Sequence, residues 1–264
     1  FSSISSDKCI QVLLLTWGFG GLLEGMAGFG TAVAIPAAIL ISLGFKPVFS
    51  AVVSLIANSV ATGFGAVGTP VKVLAEQAGV ENIQVLSTQV VLQLSPLMIL
   101  IPFVLVFMTD PQIKSLPKHI ILSLIVGIVS LVTQYLAARY MGAETPAILG
   151  SIASIIAIIL YAKITENDKD RELKAQFPKH SFGEIVKAWS VYGMILILVI
   201  LTSPLLPLRE VLAPILTTTF KFNILDAVTN AEVVRSIKIS WLMDAGALLF
   251  HSSIMGGFIK RPIL

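Results

Sequence analysis

Residues 85–107 carry no charged side chain, and a run of that length crosses the hydrocarbon core of a bilayer as one helix, which needs about 20 apolar residues. Comparable runs follow at 120–138 and 147–162, separated by short polar turns. Hydrophobic residues make up 56% of the chain, charged ones only 12%, and mean hydropathy is +0.91, against about 25% charged in an ordinary soluble domain. A transmembrane barrel would alternate apolar and polar positions, which these runs do not. The expected fold class is therefore all-α: a polytopic membrane protein built as a helical bundle, with no strands required.

One stretch departs from that pattern. Glu24, Gly25, Met26, Ala27, Gly28, Phe29, Gly30 and Thr31 place a carboxyl and three glycines between the apolar segments 10–23 and 32–43. Charge and free backbone groups survive at membrane depth only when buried in protein or lining a wet cavity, so the stretch is a candidate functional site. As helices the flanks would measure about 21 Å and about 18 Å, short of a core of about 30 Å. Neither is expected to span alone. Two readings follow: a re-entrant hairpin with its tip at 24–31, or a pair of tilted, interrupted spans.

Residues 48–74 are long enough to cross once, yet Asn58-Ser59 and then Gly63-Phe64-Gly65-Ala66-Val67-Gly68-Thr69-Pro70 interrupt them, which predicts a discontinuous helix. The two Gly-Phe-Gly breaks form a short echo, each followed by a proline, Pro36 and Pro70. Unwound backbone at two such breaks is how transporter sites near the bilayer midplane are built.

Basic residues set the expected topology. Lys163, Lys169, Arg171, Lys174, Lys179 and Lys187 place the polar segment 163–187 in the cytoplasm. Counting back puts 139–146 outside, 110–119 inside with Lys114 and Lys118, and 76–81 outside. Lys46 and Lys8 then return to the cytoplasm, which favours the hairpin. The expected organisation is one transmembrane domain over 1–264, with the hairpin at 9–43, the broken helix at 48–75, spans at 85–162, a cytoplasmic loop at 163–184 and further spans at 185–259. Residues 203–238 read as an external or interfacial segment and 239–259 as a returning span. A start at Phe1 and an end just past an apolar span, at Lys260-Arg261-Pro262, mark the chain as an expected part of a longer transporter.

Half-helix N-termini present free N–H groups that suit a carboxylate, while C-terminal carbonyls suit a small cation. Gly25, Gly28, Phe29, Gly30 and Thr31 at the first break, and Gly63, Phe64, Gly65 and Thr69 at the second, are the candidate substrate and ion loops. The rival role of the glycines is close helix packing. Glu24 is the candidate proton carrier, or else a permanently protonated carboxyl that holds the tip. Asn58 would coordinate a cation or a substrate oxygen, or tie down carbonyls freed by the break. Asp244 and His251 share a helical face, but a packed histidine is preferred to a relay; Arg139 at a helix end reads as snorkelling, and Cys9 as a bland small residue. No phosphate-binding G-x-x-x-x-G-K-[ST] loop and no zinc spacing occur, so ATP-driven transport and an intramembrane metalloenzyme are disfavoured. No enzyme activity and no cofactor beyond a coupling ion are expected. The formal charge of +3 lies in loops and signals topology rather than nucleic acid.

Residues 24–40 (Glu-Gly-Met-Ala-Gly-Phe-Gly-Thr-Ala-Val-Ala-Ile-Pro-Ala-Ala-Ile-Leu), then Leu43-Gly-Phe-Lys-Pro, Leu55-Ile-Ala-Asn-Ser and Phe64-Gly-Ala-Val-Gly-Thr-Pro, resemble the L-lactate permease family of bacterial and archaeal secondary transporters. The match is dense over 24–70, weaker over 85–162 and general beyond 163. It implies a multi-pass protein of the plasma membrane that imports L-lactate, or a similar 2-hydroxy monocarboxylate such as glycolate, by proton symport. It also implies one half of an inverted-repeat transporter. Two departures stand out: Ser59-Val60-Ala61-Thr62 and an extra Gly63 where the family has a small residue and a proline, and a length about half the family's. The alternatives are a sodium-coupled carrier of another organic acid and a non-transporting membrane subunit. Expected partners are the monocarboxylate, the lipid bilayer and a homo-oligomeric copy.

Overall fold

The computed structural model describes residues 5–28, 31–110, 116–165, 181–202, 211, 215–225, 232–241 and 245–260. The chain divides into two compact units, Phe1–Val186 and Lys187–Leu264. The first unit holds helices α1 (Lys8–Met26), α2 (Thr31–Ser42), α3 (Pro47–Ala61), α4 (Gly65–Ala78), α5 (Ile83–Thr109), α6 (Leu116–Met141) and α7 (Pro146–Ile164). Five stretches among the described residues are long and apolar enough to cross a membrane: α1, Pro47–Ala78 across α3 and α4, α5, most of α6, and α7. The chain is a polytopic helical membrane protein.

Helix α1 is the centre of this bundle, with 94% of its span buried. It starts where Asp7 accepts the Cys9 and Ile10 amides on Oδ1, at 2.9 and 3.4 Å, a side-chain cap that satisfies two of the four free N–H groups of a helix start. Residues Leu13–Gly20 widen into a π-helix, an uncommon form that usually appears in single turns. A side chain added at Gly18, Gly21 or Gly25 would meet Ile155, Ser151 or Ile148. These positions recur every three to four residues, so one face of α1 lies directly on α7, and the falling partner numbers make the two antiparallel.

The first arm is therefore longer than the sequence reading allowed. At 19 residues α1 extends about 28 Å, because Asp7 starts it early and the helix continues through Glu24 to Met26. The expectation that neither arm spans alone fails for this arm and holds for α2, whose 12 residues cover about 18 Å. Helix α2 turns back along α1: a Cβ at Gly20 would lie 3.3 Å from the Ala32 carbonyl and 3.4 Å from Pro36.

Contacts at the two ends of the bundle fix which loops lie together. At one end, Asp7 pairs with His119 and Lys118, the Cys9 thiol reaches the Val106 carbonyl at 3.9 Å, and the Tyr161 hydroxyl donates to the Lys118 carbonyl at 2.7 Å. At the other, Gly25 meets Ile148, Gly68 meets Ala143 and Gly142 meets Ile83. The turns at 79–82 and 142–145 thus share an end, opposite the connection between α5 and α6.

The second unit holds most of α8 (Phe182–Leu201), β1 (Thr217–Leu225), β2 (Glu232–Ser240) and α9 (Ala245–Lys260). Strands β1 and β2 pair antiparallel, with Phe220 opposite Ile237, Phe222 opposite Arg235 and Ile224 opposite Val233. The expectation of a chain without strands is corrected here. Thr217–Leu225 is rich in β-branched and aromatic residues that alternate with polar ones, which favours a pleated strand. Residue 239, expected to open a returning span, lies in β2, and the helix begins only at Ala245.

Candidate functional site

The break expected at residues 63–70 is present, whereas the interruption expected at Asn58-Ser59 is not, because the helix runs through both to Ala61. Helix α3 ends at Ala61, a 3-10 turn covers Thr62–Phe64, and Ala66, Val67 and Gly68 follow in the left-handed region at φ 45°, 56° and 73°. Alanine and valine there cost about 1–2 kcal/mol each, because Cβ crowds the following carbonyl. Such strain persists only where neighbours hold it. Regular helix resumes at Thr69, whose hydroxyl donates to the Ala66 carbonyl at 2.6 Å, and Pro70 takes an early position where its missing N–H is harmless.

The end of α1 meets this break. Leu23 accepts the amides of Ala27 and Gly28, closing the helix, and Gly28 sits at φ 62° with its Cβ position 3.0 Å from Ala66. Only glycine combines that backbone with that approach. At Gly65 an added Cβ would fall 2.6 Å from Glu24 Oε1, so the missing side chain admits the carboxyl to the broken backbone.

Between these segments lies a cavity of about 490 Å³, lined by Glu24, Gly28, Asn58, Thr62, Gly65, Ala66, Thr69, Pro70 and Val73. Glu24 is only 4% exposed. Asn58 lies within hydrogen-bonding reach of the Glu24 carboxyl, and its amide donates to Thr62 Oγ1 at 3.2 Å. Glu24 Oε2 and Asn58 Oδ1 are buried with no hydrogen-bond partner among protein groups. Leaving such atoms unsatisfied costs about 1–3 kcal/mol each, so the pair is poised to receive a proton, a cation or a ligand donor.

The structure sorts the residues singled out from sequence. Glu24, Gly28, Asn58, Gly65 and Thr69 come together at the cavity. Gly25 instead packs on Ile148 and Ala147, and Gly63 on Leu94; Phe64 is fully buried core. Thr31 opens α2. Phe29, Gly30 and Asp244 lie outside the described residues. His251 bonds the Ala247 carbonyl of its own helix at 2.7 Å. Thr62 was not singled out as a site residue, yet Ser54, Asn58 and Thr62 recur every four residues and so form one polar stripe on α3. That spacing was available in the sequence.

A buried carboxyl and a half-buried amide facing a cavity at a broken transmembrane helix define a membrane protein with a polar cavity in its bundle. The family model for L-lactate permease matches residues 1–261, and the chain belongs to the L-lactate permease family. It is 37% identical to an L-lactate permease of Streptococcus iniae over 98% of its own length and 52% of that protein. It is 33% identical to the glycolate permease GlcA of Escherichia coli (strain K12) over 80% of this chain and 40% of that one, and 33% identical to an L-lactate permease of Bacillus subtilis (strain 168) over 72% and 36%. The chain thus spans about half the length, or less, of these relatives. No solved structure matches it.

Proposed function

We propose that this chain supplies one wall of the binding site of a secondary transporter importing L-lactate or a similar short 2-hydroxy monocarboxylate by proton symport across the plasma membrane. The supporting observation is the pair of unpartnered buried oxygens, Glu24 Oε2 and Asn58 Oδ1, beside the cavity. A carboxylate substrate and an ionised Glu24 repel each other in a poorly solvated site. Protonation of Glu24 removes the repulsion and turns the carboxyl into a donor, so the proton binds first or together with the anion. Such coupled binding of proton and anion is what symport requires. The helix start at Thr69, with the positive end of its dipole at the cavity, provides the complementary partial charge. In the same reading the chain is one inverted half, in which α1 crosses and the shorter α2 turns back along it, and a homologous half or a second copy closes the site.

The reading is tested with the intact protein in proteoliposomes under an imposed pH gradient, following labelled L-lactate with and without sodium. Uptake is expected to follow the proton gradient and not sodium. Glu24→Gln is expected to keep lactate exchange while losing accumulation driven by the gradient. Absence of uptake sinks the transport reading; accumulation unchanged in Glu24→Gln sinks the coupling role.

A further inference from the structure

The cavity poses a problem of charge. Glu24 is the one ionisable residue lining it, and no lysine or arginine does so among the described residues. A carboxylate leaving water for such a site needs a cation or several strong donors to replace its hydration. Lys72 stands at the border. It lies one helical turn beyond Thr69 and directly before Val73, both of which line the cavity, so its backbone flanks that face of α4.

The Lys72 ammonium is held elsewhere. Its Nζ lies 3.1 Å from Glu144 Oε1, with side-chain exposures of 25% and 11%. Glu144 belongs to the short turn between α6 and α7, and its neighbour Ala143 packs its backbone against Gly68. Two adjacent residues of that turn therefore hold α4 by a close backbone contact and by an ion pair. They do so beside Ala66, Val67 and Gly68, which adopt a conformation that side chains disfavour.

We propose that Lys72 is the carboxylate receptor of the transport site and that Glu144 occupies it in the substrate-free state. The inference rests on the transport reading of the cavity. An entering monocarboxylate takes the ammonium from Glu144, so one lysine–carboxylate pair is broken as another forms. A flexible stem carrying a rotatable point charge suits this exchange, whereas an arginine fork would be fixed by geometry. Loss of the Glu144 pair removes one of the two contacts by which that turn holds α4 beside the strained segment. Substrate binding thereby biases the broken helix toward its other arrangement.

The test uses the intact protein in proteoliposomes with Lys72→Gln, Glu144→Gln and the double charge exchange Lys72→Glu with Glu144→Lys. Labelled L-lactate uptake gives KM and maximal rate, and the lactate-induced rise in melting temperature gives binding where uptake is lost. A receptor predicts asymmetry. Lys72→Gln raises the KM about ten-fold or more, or abolishes the lactate-induced rise, while Glu144→Gln, which removes the competitor, leaves KM unchanged or lowers it. Charge exchange does not restore uptake. An ion pair serving only the fold predicts symmetry: both single variants lose stability and activity alike, lactate still raises the melting temperature of Lys72→Gln, and charge exchange rescues. That pattern overturns the proposal while leaving the transport reading intact. Wild-type protein that neither takes up nor is stabilised by a short monocarboxylate overturns both.

Discussion

Replacing Asp7 by asparagine separates two tasks that one carboxylate performs at the start of α1. Oδ1 caps the helix, and Oδ2 accepts from His119 Nε2 at 2.9 Å and pairs with Lys118 Nζ at 3.5 Å. Asparagine caps a helix about as well as aspartate, so Asp7→Asn keeps the first task and removes the second. Burial alone would raise the Asp7 carboxyl, but the hydrogen bond and charge of His119 and the charge of Lys118 outweigh it, bringing it from 3.8 to about 2. At about 1.4 kcal/mol per pH unit this drop corresponds to about 2.5 kcal/mol. The side chain is 20% exposed, and solvent screening reduces the figure to about 1–2 kcal/mol. Because the folded-state carboxyl is depressed, its contribution is complete above about pH 5 and is lost as pH falls through about 2. Thermal melting of the purified intact protein across a pH series should show wild type above Asp7→Asn near neutrality, with the two converging in acid. Equal melting at neutral pH, or an interval undiminished at about pH 2, refutes the ion-pair account.

Other substitutions probe the site and its packing. Gly28→Ala places a Cβ at positive φ and against Ala66; about 1–2 kcal/mol of backbone strain plus the clash should lower the melting temperature and abolish lactate uptake. Thr62→Val keeps the shape but takes the acceptor from the Asn58 amide; initial-rate kinetics should show reduced uptake with melting nearly unchanged. Gly25→Val would force side-chain atoms into Ile148 and Ala147; an overpacking cost of about 1–3 kcal/mol should appear as lost stability in a melting assay, with activity falling only in step.

The sequence made the helical bundle legible because bilayer spans need continuous apolar runs, and α5, α6 and α7 carry such runs between polar turns. The break after Asn58 was legible for a related reason, since glycines and a proline cannot continue a helix quietly. Its geometry was not. Ala66 and Val67 take left-handed backbone that their side chains disfavour, and only neighbours such as Gly28 and Thr69 make that conformation tenable. The length of α1 is hidden because Glu24 and its glycines look like a terminus, whereas burial of the whole helix among its neighbours carries it through them. The strand pair at 217–240 is masked in the sequence by the chain's apolar composition, although Thr217–Leu225 carries β-branched residues and alternation.

Glycine illustrates why residue type alone could not separate site from scaffold. Gly25 and Gly28 lie three residues apart in one motif, yet the first serves contact with α7 and the second closes α1 against the broken helix. The difference comes from where α1 ends: Gly25 still faces a neighbouring helix, whereas Gly28 lies past the last turn, where the backbone can reverse. Glu24 belongs to the last turn but faces Gly65, whose missing Cβ lets the carboxyl reach the break. A site assembled this way depends on two terminations meeting, and shifting either by one residue would turn the carboxyl by about 100° around its helix. Inserting one alanine between Leu22 and Leu23 should therefore abolish lactate uptake even where the protein still inserts and melts cooperatively, and uptake that survives the insertion would refute a site fixed by the end of α1.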